Sequence, residues 1–79
     1  MVAEIDELMR EARGRVGARV RGLRHNHAWT QETLAHEAGL ATRHLQRIEA
    51  AEINVTLETL VRLATVLNVD VAELLAAFP

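Results

Sequence analysis

The chain has no cysteine, which excludes disulfides and cysteine-based zinc sites. Its one proline is the last residue, Pro79, glycine occurs four times, and Trp29 and Phe78 are the only aromatics. Runs of β-branched residues long enough for a strand are missing, while Ala, Leu, Glu and Arg dominate, a composition that favours helix. No apolar run approaches the roughly 18 residues of a membrane span, and the acidic start has the wrong polarity for a signal peptide, so a cytoplasmic protein with no membrane contact is expected. Paired carboxylates, a nucleophile beside a base and a phosphate-cradling glycine loop are also missing, so neither an enzyme nor a cofactor is expected. At 79 residues the chain makes one domain, and a domain of this size buries only about 60% of the surface its unfolded form exposes.

What is present is charge segregation and helical periodicity. The formal charge is −2. From Arg13 to Arg47, however, seven arginines face only Glu32 and Glu37, while the rest of the chain has two arginines against nine acids. The local field decides whether a polyanion is attracted, so the positive block outweighs the whole-chain charge. The bland reading of the block is a solvated helical face.

The positive block contains Thr30–Glu49, which reads as two short helices joined by a tight turn. Leu34, Ala35 and Ala38 share one face of the first, and Leu45 and Ile48 one face of the second. Gly39 falls where a left-handed residue would close the first helix, and Thr30 falls where a hydroxyl would cap it. Taking Leu45 as the inward direction, Ile48 and Ala41 lie within about 60° of it, and Arg43 and Arg47 about 160° away. Thr42, His44 and Gln46 flank that outward arginine stripe. Such side chains suit base edges: arginine donates two parallel bonds to guanine, glutamine pairs with adenine, and the threonine methyl meets that of thymine. The alternative is an ordinary exposed helix face.

Upstream, residues 1–13 predict an amphipathic helical extension with Val2, Ile5, Leu8, Met9 and Ala12 on one side, separate from a domain over residues 14–79. Gly14 and Gly17 favour a break into two helical pieces; a single helix to about Asn26 is the alternative, because Val16, Val20 and Leu23 continue the stripe. The extension is expected to pack on the domain edge, with a dimer arm or a docking surface for a protein partner as the sharper reading. Arg19, Arg21 and Arg24 face outward on the next turns. His25-Asn26-His27-Ala28 is a polar link in which two histidines two apart cannot share a face, so no metal site is expected, and Trp29 seals the start of the following helix. Downstream, Thr56 caps a helix with Leu57, Leu60, Val61, Ala64 and Leu67 inward, closed by Asn68-Val69. Asp70 and Glu73 form a capping box before a last helix. Its apolar residues Val71, Leu74, Leu75 and Phe78 are expected to form a homodimer interface, the competing view being that Leu74, Leu75 and Phe78 only complete the monomer core.

The motifs W-T-Q-E-x-L-A-x-x-A-G-L, x-x-x-L-Q-R-I-E and N-V-T-L-E-T-L-x-R-L-A-x-x-L-N-V, spanning about Gly17–Leu75, resemble the helix-turn-helix domain of the Cro and phage-repressor family, which includes restriction-modification controllers and antitoxins. The Asn54-Val55-Thr56 stretch resembles that of restriction controllers. The resemblance implies an all-α, compact five-helix repressor-type domain whose third helix, about residues 42–50, reads the major groove of double-stranded DNA. It makes Thr42, Arg43 and Arg47 the main base readers, with His44 and Gln46 beside them. Gln31 becomes a phosphate clamp, with Arg19, Thr30 and Asn54 as further phosphate contacts, and Arg24 pairs with Glu49. The implied function is a transcriptional regulator, a dimer on a palindromic operator; the alternative is a protein-interaction module of the same fold.

Departures from the pattern are local. Ala41 stands where a serine or threonine cap is usual, so either the reading helix begins less firmly or Thr42 caps it one residue later. Ala50-Ala51 replaces a polar residue and glycine. A left-handed alanine costs about 1 kcal/mol, which favours the helix running on by a turn. Glu52-Ile53-Asn54 replaces a loop that often carries Lys or Arg.

Overall fold

The structure, a computed structural model, describes residues 2–76. Five helices follow one another: α1 (Val2–Asn26), α2 (Gln31–Ala38), α3 (Thr42–Glu49), α4 (Leu57–Leu67) and α5 (Val71–Leu75). No strand occurs among the described residues. The all-α, five-helix expectation holds.

The expected break at Gly14 and Gly17 does not occur: α1 is one helix of 25 residues. A glycine costs a helix interior about 1 kcal/mol, and at Gly17 tertiary contact supplies the reason for it. A Cβ there would lie 2.7 Å from the carbonyl oxygen of Ile48 and 2.8 Å from that of Glu49, so only glycine lets the end of α3 rest directly on α1. The helix is therefore continuous across residues 13 and 14.

Each helix contributes a short apolar stripe to one core: Val16 and Val20 from α1; Leu34, Ala35 and Ala38 from α2; Leu45 and Ile48 from α3; Leu60, Leu63, Ala64 and Leu67 from α4; and Leu74 from α5. Leu34, Leu45, Leu63 and Leu74 are completely buried, each worth about 1.5–3 kcal/mol relative to exposure. The α4 stripe is rotated from expectation. Leu57 and Val61 face solvent, and Leu63 takes their place inside, because the residues meeting α2 and α5 recur at 60, 63, 64 and 67.

The helix ends decide the turns. Thr30 Oγ1 accepts from Thr33 N at 3.1 Å, and Thr56 Oγ1 from Thr59 N at 3.1 Å. Gly39 closes α2 at φ +70° while Leu40 N donates to Ala35 O at 2.8 Å, the six-to-one bond of a Schellman turn. The α3 ending overturns the expected extra turn. Ala51 adopts φ +61°, and Glu52 N reaches back to Arg47 O at 3.0 Å, so an alanine occupies the position that glycine fills at the end of α2. At α5 the expected capping box does not form: Asp70 makes no side-chain cap bond, and Glu73 N donates to the Asp70 carbonyl at 3.0 Å instead.

Candidate nucleic-acid interface

The placement of α3 is set by what holds its inner face and its C-terminal end. Leu45, Ile48 and Glu49 are its buried residues. Glu49 is only 4% exposed, and a carboxylate so desolvated needs partners. It accepts from Arg24 Nε on Oε2 at 2.8 Å and from Arg24 Nη2 on Oε1 at 3.0 Å, a bidentate pair. Gln31 Nε2 donates to Oε1 at 3.1 Å. Arg24 completes its bonding with Nη1 on the Trp29 carbonyl at 2.9 Å, and the hydrogen bond to Glu49 raises its pKa against the opposing effect of burial. Arg24 is therefore an inward group, correcting its assignment to the outer face of α1. Its expected pairing with Glu49 is present.

A second arginine completes the anchor. Arg21 Nη2 donates to the Glu49 backbone carbonyl at 2.9 Å, satisfying an orphan acceptor at the negative end of the α3 dipole. Gly17, Arg21 and Arg24 thus form one α1 face that grips the end of α3. Their spacing of four and three was visible in sequence, but Arg21 reads there only as an outward charge, because nothing local tells that α3 ends against it.

With its inner face pinned, α3 presents the other. Arg43, His44, Gln46 and Arg47 are exposed and Thr42, at the first turn, is half-buried. Arg43, Gln46, Arg47, Ala50 and Glu52 line an open depression of about 730 Å³. Glu52, which sequence reasoning did not place there, puts Oε1 3.9 Å from Arg47 Nε, both side chains being more than half exposed. An exposed pair of that length contributes at most about 1 kcal/mol, so it does not hold Arg47 away from a ligand. Ala41 occupies the N-cap position without a side-chain bond. Thr42 lies inside the helix and does not take over the cap.

The expected phosphate contacts are not all on this surface. Thr30 and Gln31 open α2 beside the α3 end, Thr30 as its cap and Gln31 bound to Glu49. Asn54 lies on the loop after α3, where its Oδ1 accepts from Arg13 Nη1 at 2.8 Å. Arg19 points elsewhere, its Nε donating to the Glu73 carbonyl of α5 at 3.0 Å. His27 stacks on Trp29 with ring centroids 4.6 Å apart and donates from Nε2 to the Leu67 carbonyl at 3.1 Å, so it tethers the end of α1 to the end of α4. Among the described residues no cluster of His, Asp or Glu could hold a metal ion, and no helix is long and apolar enough to cross a membrane.

The expected dimer surface is corrected in part. Leu74 is fully buried within the chain's own core, so it supplies no interface. Val71 is half-buried against the core and Leu75 is about half exposed, while Phe78 lies outside the described residues.

A short helix pinned from within, a glycine turn before it and an exposed polar face define the helix-turn-helix class. Residues 20–74 match the helix-turn-helix family model, and the chain belongs to that family, of the Cro and phage-repressor type. Among solved structures it is similar to the restriction-modification controller protein C.AhdI from Aeromonas hydrophila, with 35% identity, a TM-score of 0.76 and coverage of 78% of this chain and 94% of that one. It is also similar to the hypothetical transcription factor NHTF from Neisseria, with 29% identity, a TM-score of 0.80 and coverage of 82% and 75%. No curated protein matches in sequence.

Proposed function

We propose that this protein is a sequence-specific regulator of transcription that binds double-stranded DNA as a homodimer on a palindromic operator, with α3 in the major groove. The observation that carries this reading is the outward pair Arg43 and Arg47, one turn apart on a helix whose opposite face is locked by Leu45, Ile48 and the buried Glu49. A rigidly held helix fixes the two backbone points from which the guanidinium forks reach, and bidentate recognition of guanine suits such forks. Thr42, His44 and Gln46 complete the reading surface. Thr30 and Gln31, at the start of α2 beside the end of α3, would meet phosphates. The family membership and the likeness to two transcription-control proteins support it.

Selection of bound sequences from a random duplex pool, followed by titration of the selected site, tests the proposal. Arg43→Ala and Arg47→Ala are each expected to cost about 1–3 kcal/mol on the selected site and to relax the choice at one base position. Loss of the same size on selected and random DNA would refute the base-reading role. Affinity is expected to fall steeply with salt, since arginine neutralisation of phosphates releases counterions.

A further inference from the structure

The first three turns of α1 project an apolar stripe that none of the described residues covers. Val2, Ile5 and Leu8 are each more than half exposed and Met9 is 39% exposed. These turns lie outside the family match, which begins at residue 20. The stripe has order: Val2, Ile5, Met9, Ala12 and Val16 alternate three and four residues apart, the spacing of a coiled-coil seam. At its inner end the stripe runs into an apolar groove of about 120 Å³, between Met9, Ala12 and Val16 on one side and Val55, Leu60 and Leu75 on the other. A continuous helix cannot fold its own first turns back into that groove, whereas the same segment of a second molecule can reach it.

We propose that this occupant is the same segment of a second copy, packed antiparallel, so that α1 forms the dimer contact of the regulator proposed above, on which this inference rests. Met9 then lies opposite the partner's Ala12, and the partner's Ile5 enters the groove beside Val16 and Leu75. Charge selects the direction. Asp6 and Arg13 flank the seam on the same edge, seven residues apart. Antiparallel helices bring same-edge positions together, which sets Asp6 beside the partner's Arg13 twice over by symmetry. A parallel pair would set Leu8 against the partner's Arg13 and form no ion pair. Arg13 lies at the groove wall, and its bond to Asn54 uses only one of its five donors.

The same pairing places the two reading helices. Its twofold axis passes between Arg10 and Glu11. Gly17, Arg21 and Arg24, which hold α3, lie on average about ten residues from that point, so the two anchors stand about 30 Å apart at 1.5 Å per residue. Successive major grooves on one side of a duplex are about 34 Å apart. Around α1 the anchors sit about 100° from the seam, which puts both α3 helices on one side of the plane of the paired α1 helices, as a single duplex requires.

Sedimentation equilibrium on the full chain, without DNA, tests the pairing independently of the regulator reading. The unmodified chain should be a dimer, and Asp6→Arg and Arg13→Asp should each weaken self-association about tenfold or more, because each sets like charges together twice. An equimolar mixture of these two variants should associate as well as the unmodified chain, since the mixed dimer re-forms both ion pairs, one with its original sign and one reversed. Ile5→Glu combined with Met9→Glu should give a monomer with unchanged helicity by circular dichroism that still binds one half-site. A monomeric unmodified chain, charge variants that self-associate normally, or a mixture that fails to recover would overturn the inference. If the pairing is found but no DNA is bound, the regulator reading fails and the α1 contact stands.

Discussion

The Arg24–Glu49 pair gives the most discriminating test of how α3 is held. Both groups are nearly inaccessible, at 8% and 4% exposure, and joined by two bonds of 2.8 and 3.0 Å. Removing one partner strands the other's charge, a change that costs about 3–5 kcal/mol for buried pairs. A domain of 79 residues has a total stability of about 4–12 kcal/mol. Arg24→Met or Glu49→Leu alone should therefore remove a large share of it. The combined Arg24→Met/Glu49→Leu variant leaves no stranded charge. It loses the bonds of Arg24 to Trp29 and of Gln31 to Glu49, each worth about 1 kcal/mol, and gains apolar packing. It should lie within about 2 kcal/mol of the parent. Urea titration followed at the helical circular dichroism band measures all four chains. The argument fails if either single variant loses less than about 1 kcal/mol, the behaviour of a solvent-screened surface pair, or if the double variant loses the sum of the singles. The sign with pH follows from the raised Arg24 pKa. Its stabilisation is complete below the ordinary arginine value and is lost only as pH climbs through the raised one. Arg24 should thus impose no pH dependence on stability between about pH 6 and 9.

Further outcomes follow from the backbone and the reading face. Ala51→Gly should stabilise the fold by about 0.5–1 kcal/mol, the relief of a left-handed alanine less the extra entropy of glycine, and an unchanged urea midpoint would contradict the φ of +61°. Gly14 and Gly17 should respond with opposite signs to alanine. Nothing lies within 4 Å of a Cβ at residue 14, whereas one at 17 meets two backbone carbonyls. Gly14→Ala should stabilise by up to about 1 kcal/mol and Gly17→Ala destabilise by about 1–3 kcal/mol, read from thermal midpoints. Glu52→Gln removes a negative charge from the depression shared with Arg43 and Arg47. It should strengthen binding to random DNA at low salt by about two- to fivefold, a gain that shrinks as salt screens it, measured by fluorescence anisotropy.

Most rules that depend on a few neighbouring residues are followed, the Asp70–Glu73 capping box being an exception. Thr30, Gly39 and Thr56 act where capping and turn chemistry place them, and Arg43 and Arg47 point away from Leu45 as helix geometry dictates. Readings that treated a glycine or a stripe without its neighbours went astray. Gly17 resembles a helix break until α3 is laid across it. Leu57 and Val61 continue an apolar pattern, yet the packing against α2 and α5 favours Leu63. Asp70 and Glu73 have the spacing of a capping box, but the side-chain bond is absent.

The all-helical class, the two short helices joined at Gly39 and the outward arginine pair are determined by sequence alone, because periodicity, capping and rotation per residue act within about one or two turns of chain. Tertiary structure decided that Arg21 grips the end of α3, that Arg19 turns to α5, that Leu74 is spent in the core and that Ala51 bears a left-handed backbone. Each of those outcomes depends on which surfaces approach across tens of residues. A side chain's periodicity says which way it points, but only the fold says what it meets there.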